Sequence, residues 1–157
     1  GCSNLGDIYY LGKGIKQDYF KARKLYKQAC DGNNIKACNN LGYMYFSGKG
    51  GSQNYEKAKE LYEQACDGNN IKACNNLADT YYFGKGVKQD YSKANELYQK
   101  ACDGNNVEGC YSLANSYKQG IEIGIEQNIS KAKELYKKSC DLKLGLGCKD
   151  FDILNIQ

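Results

Sequence analysis

Apolar residues recur along this chain with a helical period, in two alternating patterns. One pattern places Ala37, Leu41 and Tyr45 on one face, and it predicts a helix from Ile35 to Phe46. The other repeats Tyr, Ala, Leu, Tyr and Ala along a stripe with Lys, Glu and Gln opposite, and it predicts a helix over residues 55–66. We call the first type helix A and the second type helix B.

Both patterns return in register along the chain. The segment CDGNNIKAC at residues 30–38 recurs unchanged 36 residues later at 66–74, and in altered form at 102–110 and 140–148. A fixed period of this length is typical of stacked helix pairs that share one continuous core. The predicted fold is therefore all-α, an α-solenoid. In it, antiparallel helix pairs of about four 36-residue repeats form a right-handed superhelix whose concave side is lined mostly by A helices.

The repeat register defines the expected organisation of residues 1–157 as a single repeat domain. We expect a partial unit at 1–30, units at 31–66, 67–102 and 103–140, and a partial unit or cap at 141–157. Gly-Lys-Gly loops follow the A helices, where glycine supplies the left-handed conformation that ends a helix. Two residues are inserted in the last such loop, within residues 120–124. The predicted N-caps are Asn34 for helix A and, for helix B, Asp18, Asn54, Asp90 and Asn128.

One helix A position accepts only glycine or alanine, at Gly6, Gly42, Ala78 and Ala114. Such a position predicts the close approach of two helix backbones. A second helix A position is aromatic in three repeats, at Tyr10, Phe46 and Tyr82, and becomes Lys118 in the fourth. We interpret this aromatic series as packing between units.

Nine cysteines are the most unusual feature of the composition. Eight of them form four pairs with seven residues between the partners, and each pair joins the end of a helix B to the first turn of the next helix A. Across a tight turn these positions come within reach of a disulfide. The spacing therefore predicts the bonds Cys30–Cys38, Cys66–Cys74, Cys102–Cys110 and Cys140–Cys148.

A metal site and a redox site are the alternatives for these cysteines. Structural zinc favours cysteines separated by about two to four residues, or histidine, which this chain lacks. A thioredoxin-like motif needs C-x-x-C, which is also missing. We therefore expect no metal and no other cofactor. Persistent disulfides indicate an oxidising compartment, so the protein is predicted to be secreted or periplasmic.

Cys2 is the cysteine left unpaired. It occupies the second-cysteine position of a unit, and its partner would precede residue 1. We therefore expect the chain to be part of a longer protein, with any signal peptide in the missing segment.

Charge and hydropathy narrow the choice of partners. The net charge of +4 is spread along the chain, and no apolar run is long enough to span a membrane. An RNA-reading helical repeat remains an alternative, but phosphate binding favours a basic stripe, and here Asp7 and Asp79 are expected on the concave side. We expect a monomer with a protein or peptide partner, for which host cells and the cell wall are the two candidate sources, and no nucleic acid.

Two polar rows on the outer face of helix A form the predicted binding groove. The first row contains Asn4, Asn40, Asn76 and Ser112, and the second, one turn on, contains Asp7, Tyr43, Asp79 and Asn115. Asparagine amides donate and accept hydrogen bonds at once, which suits the backbone of an extended peptide. The alternative interpretation of these rows is a solvated face without a ligand.

The helix A pattern L-G-x-x-Y-x-x-G-x-G at residues 41–50, followed by the helix B pattern at 55–66, resembles the Sel1-like repeat, a relative of the tetratricopeptide repeat. With its paired cysteines the chain is similar to the Helicobacter cysteine-rich proteins. This resemblance implies a secreted repeat scaffold. It also implies, as an alternative function, a penicillin-binding protein or weak β-lactamase.

Catalytic motifs do not add to that alternative. Ser130 and Lys133 match the S-x-x-K motif of class A β-lactamases, but the S-D-N and K-T-G motifs are absent. The same positions in other repeats read Phe20 to Arg23 and Glu56 to Lys59, so the match is part of the repeat pattern. We therefore assign no catalytic residue and expect a binding protein rather than an enzyme. Asn128 fits two interpretations, the acceptor of an acidic-extended N-glycosylation sequon and an ordinary helix cap.

Overall fold

The computed structural model describes residues 1–120, 124 and 126–156, and over these residues the chain is all helical outside its loops. The inserted residues predicted within 120–124 lie largely outside this description. The nine helices of the described part are α1 Cys2–Leu11, α2 Tyr19–Asp31, α3 Ile35–Ser47, α4 Tyr55–Asp67, α5 Ile71–Phe83, α6 Tyr91–Asp103, α7 Val107–Gln119, α8 Ile129–Asp141 and α9 Gly145–Ile156. Odd-numbered helices are of type A and even-numbered helices of type B, as the pattern predicts.

The chain divides into two compact units. The first contains Gly1–Ala73 with Lys85–Lys88, and the second contains residues 74–84 together with the chain from residue 89 onward. Within the first unit α1 packs on α2, α2 on α3, and α3 on α4. Within the second, α6 packs on α7, α7 on α8, and α8 on α9.

Side-chain caps fix the helix starts where the sequence predicts them. The carboxylate of Asp18 accepts a hydrogen bond from the Lys21 amide at 2.9 Å, and Asn54 accepts from the Lys57 amide at 2.8 Å. Asn34 caps α3 in the same way. Each bond satisfies one of the amide groups that a helix start leaves without a partner. Asp90, Asn106 and Asn128 cap their helices likewise.

The apolar stripe of helix B forms the core of each unit. In α4, Ala58, Tyr62 and Ala65 are buried. Ile129 of α8 is an exception, with 38% of its surface exposed. Its counterparts Tyr19, Tyr55 and Tyr91 pack in tilted or edge-on contact with the aromatic residue of helix A, whereas the fourth repeat has Lys118 at that position. Ile129 therefore lacks the ring that would cover it.

The small helix A position faces the ring of the helix B tyrosine first, and at Gly42 the backbone of α4 is close as well, so the sequence interpretation named only part of the contact. A Cβ atom at Gly42 would lie 2.8 Å from ring atoms of Tyr62, and one at Gly6 would lie 2.8 Å from the ring of Tyr26. The nearest backbone atom to the Gly42 position, the Ala58 carbonyl oxygen, would be 3.4 Å away. Glycine thus makes room for the helix B tyrosine.

Within each unit, the predicted disulfides connect a helix B to the next helix A. The Cα atoms of Cys30 and Cys38 are 4.7 Å apart, and those of Cys102–Cys110 and Cys140–Cys148 are 4.5 Å apart. Cys66 and Cys74 are also disulfide-bonded. Cys2 is exposed and has a free thiol.

The C-terminal segment is more regular than the sequence pattern indicates. The apolar repeat ends at Cys148, yet α9 continues to Ile156 and packs on α8 with Leu154 buried. The Tyr111 hydroxyl donates to the Asp150 carboxylate at 2.7 Å, which fixes α9 against α7. Over the part of the chain that the structure describes, none of the helices combines the length and apolar character needed to cross a bilayer.

Candidate functional site

The first unit contains Asn4 and Asp7 on α1, and Asn40 and Tyr43 on α3. The Asp7 carboxylate connects the two helices. It accepts a hydrogen bond from the Asn40 amide at 3.3 Å and forms an ion pair with Lys36 Nζ at 2.9 Å. On α1, Asn4 is exposed, and on α3, Tyr43 keeps 42% of its surface exposed. The structure therefore brings α1 and α3 together through Asp7 and leaves Asn4 and Tyr43 accessible.

The second polar row also has a structural role that the sequence did not reveal. The hydroxyl of Tyr26 donates to Asp7 at 2.7 Å, that of Tyr98 to Asp79 at 2.6 Å, and that of Tyr136 to Asn115 at 2.5 Å. A buried tyrosine needs a partner for its hydroxyl. The recurrence of Tyr in helix B opposite Asp or Asn in helix A was the available signal.

Asp7 and Asp79 occupy the same repeat position but have different electrostatics. Burial acts to raise the pKa of the Asp7 carboxyl, but hydrogen bonds from Tyr26 and Lys36, with the Lys36 charge, outweigh it and hold the pKa below its usual value. Burial raises the pKa of Asp79, and the Tyr98 hydrogen bond compensates only in part. The position that holds Lys36 is Glu108 in the repeat that follows Asp79. Asp7 is thus a paired carboxylate, and Asp79 is a partly buried one without that cation.

Replacing each aspartate by asparagine should affect stability differently at the two positions. Asp7→Asn loses the ion pair with Lys36 and should destabilise the protein by about 1 kcal/mol at neutral pH. Asp79→Asn keeps an acceptor for Tyr98, as Asn115 does for Tyr136, so we expect a change within about 0.5 kcal/mol of zero or a gain. Urea unfolding at equilibrium measures both variants.

The pH dependence follows from the directions of the pKa shifts. A lowered pKa in the folded state means that Asp7 contributes stability above its unfolded pKa, and that this contribution is lost as pH falls through the folded pKa. A raised pKa means that Asp79 ionisation costs stability as pH rises through the folded pKa. The Asp7→Asn penalty should therefore shrink in acid. Equal losses for the two variants at neutral pH would contradict this assignment.

The rings of the aromatic series pack on each other within each helix pair, and Tyr10 and Tyr82 also contact the next repeat, as the sequence interpretation expected, through Lys49 and Gln119. The ring centroids of Tyr10 and Tyr19 are 5.3 Å apart, and those of Phe46 and Tyr55 are 5.1 Å apart. In the second unit Tyr82 lies 5.0 Å from Tyr91. Each pair joins the end of helix A to the start of helix B.

The Gly-Lys-Gly loops supply a further contact between neighbouring repeats. Lys49 Nζ donates to the Tyr10 hydroxyl at 2.8 Å and lies 4.9 Å from the Tyr10 ring centroid and 5.0 Å from that of Tyr19. It also lies 5.4 Å from the ring of Tyr43. Such distances are those of cation–π interactions. Lys85 lies above Tyr55 in the same relation, at 5.6 Å.

The second unit contains the other half of the predicted groove residues. Asn76 and Asp79 lie on α5, and Ser112 and Asn115 lie on α7; all four are partly buried. Asp79 and Asn115 accept the tyrosine hydrogen bonds described above, so their polar atoms are partly occupied within the protein. Ser130 is exposed in the first turn of α8, and Lys133 lies one turn further along.

Comparison with known proteins gives one family. A family model described as Sel1 repeat matches the chain four times, at residues 1–34, 35–70, 71–106 and 107–144. No curated protein sequence matches the chain.

Solved structures of similar fold include three at more than a quarter identity. The antigen c5321 of uropathogenic Escherichia coli, described as protective and as having an SLR fold, is 31% identical, with a TM-score of 0.86 over 98% of this chain and 32% of its own. A Sel1 repeat protein from Oxalobacter formigenes is 26% identical, with a TM-score of 0.89 over 96% of this chain and 60% of its own. Helicobacter pylori cysteine-rich protein B is 33% identical, with a TM-score of 0.62 over 88% of this chain and 98% of its own. This chain thus spans about a third of the first structure and 60% of the second.

Proposed function

This chain belongs to the Sel1 repeat family, and from that premise we propose that it is a scaffold that binds an extended peptide segment of a protein partner. The binding residues are those of the helix A face in each unit. In the first unit these are Asn4, Asn40 and Tyr43, and in the second they are Asn76 and Ser112. Asp7, Asp79 and Asn115 hold the face in place through the tyrosine hydrogen bonds.

The state of Asn40 is the observation that carries this proposal. Its Nδ2 donates to Asp7 at 3.3 Å, and its Oδ1 accepts from the Asn39 amide at 3.5 Å. An asparagine amide has two N–H hydrogens and an oxygen with two lone pairs. Asn40 is therefore oriented by the protein, since its Nδ2 also engages the Tyr26 hydroxyl, while its Oδ1 retains one lone pair for a ligand N–H. Orientation before binding lowers the entropy that the side chain loses when a ligand is bound.

Tyr43 adds an amphipathic surface beside that amide. It has 42% of its surface exposed and Lys49 Nζ 5.4 Å from its ring centroid, so the ring is accessible beside a cation. Tyrosine gives a large contact area at a low cost in conformational entropy. The pair of groups suits a peptide, whose amides meet Asn40 and whose side chains meet Tyr43.

The compartment that we propose is outside the cytoplasm, in the periplasm or the surrounding medium. Eight of the nine cysteines are in disulfides, and such bonds persist in oxidising compartments. The similar structures include a cysteine-rich protein of Helicobacter pylori and an antigen of uropathogenic Escherichia coli. These likenesses support the same location.

Selection of peptides on the oxidised protein tests the binding proposal. Peptides from a displayed library that bind the wild type should bind Asn40→Ala or Tyr43→Ala about tenfold more weakly, a loss of about 1.4 kcal/mol. Glu60→Ala is the matched control, because Glu60 is exposed on helix B of the same unit. Asn76→Ala and Ser112→Ala test the second unit separately. Selected peptides that bind all four variants as tightly as wild type would place the binding surface elsewhere.

A further inference from the structure

Helix α2 differs in sequence from the other B helices at two exposed positions that the fold does not require to be of one residue type. One position is Phe in α2 and Glu or Ser elsewhere, at Phe20, Glu56, Ser92 and Ser130. A second is Lys in α2 and Glu in every other repeat, at Lys24, Glu60, Glu96 and Glu134, and all four are exposed. The other repeats form the same helix with glutamate or serine in place of Phe20 and with glutamate in place of Lys24. Neither Phe20 nor Lys24 is therefore needed for folding.

As a result, the net charge of α2 is positive, whereas that of α4 is negative. It contains four basic side chains and one acidic one, whereas α4 contains two basic and four acidic. Lys27 is paired with Asp31 at 2.6 Å and Lys21 with Asp18 at 3.7 Å, which leaves Arg23 and Lys24 as the excess charge. Among the described residues Lys24 has no ion pair. Arg23 is the sole arginine of the sequence.

These side chains line one cavity of the first unit. The cavity has a volume of about 360 Å³, and its walls include Phe20, Arg23, Lys24, Tyr45 and the backbone of residues 50–52. Phe20 is 71% exposed at its edge. A volume near the lower end of the usual range for ligand sites, about 300–1,000 Å³, suits one or two side chains of a larger partner.

Arg23 is oriented inside this cavity by a ring contact and two hydrogen bonds. Its guanidinium lies 3.8 Å from the ring centroid of Tyr45, and Nη1 and Nη2 each donate to the Ser52 carbonyl oxygen at 3.2 Å. These bonds use two of the N–H donors of the guanidinium, which has five in all. The group is therefore positioned in advance and can still donate to a carboxylate.

We propose that this cavity binds an acidic peptide segment in which a carboxylate lies beside an apolar side chain. The carboxylate meets Arg23 and Lys24, and the apolar side chain packs on Phe20 and Tyr45. This site lies between α2, the end of α3 and the loop that follows α3. It uses none of the helix A residues assigned above to peptide binding, so it is a second contact surface of the scaffold.

The apolar walls favour a peptide over a polyanion such as RNA or a sulfated polysaccharide. Polyanions are bound by basic side chains that follow their charge, with affinity that falls steeply with salt. Here the exposed Phe20 lies beside only two cations without an ion-pair partner, Arg23 and Lys24. The third cation of the cavity, Lys27, is paired with Asp31. An apolar contact of this kind contributes only if the partner brings an apolar group to it.

A fluorescent synthetic peptide that alternates glutamate and leucine is the probe, with binding followed by anisotropy on the oxidised protein. Lys24→Glu installs the residue that the other three repeats have, and Phe20→Ser installs that of the third and fourth, so both variants should fold. We expect each to weaken binding about tenfold. The same peptide with glutamine for glutamate, or alanine for leucine, should also bind about tenfold more weakly.

Matched controls distinguish this site from general electrostatics. Lys16→Glu changes the net charge as Lys24→Glu does, and Phe83→Ser removes an aromatic residue that is 61% exposed. Both should bind the peptide as wild type does. The proposal is overturned if wild type does not bind, if Lys16→Glu weakens binding as much as Lys24→Glu, or if single-stranded RNA binds more tightly than the peptide. It is likewise overturned if light scattering shows a wild-type dimer that Phe20→Ser dissociates, because the occupant would then be a second copy.

Discussion

Reduction of the disulfides should unfold most of this protein at room temperature. Each bond closes a loop of nine residues, for which the chain-entropy model gives about 2.5 kcal/mol. Four such bonds amount to about 10 kcal/mol if they are additive, which is comparable with the whole stability of an ordinary domain, about 5–15 kcal/mol. Circular dichroism should show loss of most of the helical signal after a phosphine reductant is added, with a broad melt in place of a cooperative one.

Single cross-links should have graded effects. Replacing Cys102 and Cys110 by alanine avoids leaving polar atoms at two fully buried positions, and it should lower Tm by roughly 5–10 °C. Cys2→Ala is the control, since Cys2 is exposed and free, and it should leave Tm unchanged. A reduced protein that melts at the temperature of the oxidised one would show that helix packing alone stabilises the repeats, and the inference of an oxidising compartment would lose its physical basis.

Local sequence signals predicted the repeat fold well because each one acts over a few residues. The caps at Asp18, Asn34 and Asn54 and the cysteine pairs all depend on neighbours within eight positions. The period of 36 then copies one helix pair along the chain. Little long-range information is needed for such an architecture, since each repeat contacts mainly its neighbours.

The candidate site was less predictable because its side chains act across helices. Asp7 and Asp79 are the same residue at the same repeat position, yet the pKa of one is lowered and that of the other is raised. The difference arises from the deeper burial of Asp79 and from Lys36, which lies 29 residues after Asp7 and has Glu108 as its counterpart after Asp79. The tyrosine partners of these aspartates are 19 residues away. The residue types on one helix face do not show these pairings, because the partners lie on other helices and meet only in the folded structure.

The Gly-Lys-Gly loops illustrate the same limit. The first glycine of each loop ends helix A in the left-handed conformation, with φ of +67° at Gly12 and +72° at Gly48, as predicted. The second glycine has a further role that helix termination does not explain. In the loop after α3, Gly50 lies against the backbone of Tyr19 in the preceding repeat, and the loop after α5 places Gly86 against Tyr55 in the same way.

Gly50→Ala should therefore be far more damaging than Gly14→Ala. The two glycines have nearly the same φ, +72° and +74°, so both alanines carry the left-handed penalty of about 1 kcal/mol. At Gly50 a Cβ would also lie 2.2 Å from the Tyr19 carbonyl oxygen and 2.7 Å from its carbon, whereas at Gly14 nothing lies within 4 Å. The Tyr19 carbonyl belongs to the first turn of α2 and cannot move aside without disturbing that helix.

The expected cost of Gly50→Ala is about 3 kcal/mol or more, because overpacking against a fixed backbone adds about 1–3 kcal/mol to the conformational penalty. Thermal melts of the oxidised variants should show Tm lowered by roughly 6–12 °C for Gly50→Ala and by roughly 2–4 °C for Gly14→Ala. Displacement of the loop would also draw Lys49 away from Tyr10 and Tyr19, so tyrosine fluorescence should change only in the Gly50 variant. Equal losses at the two positions would mean that the loop does not pack on the preceding repeat, and that these glycines serve helix termination alone.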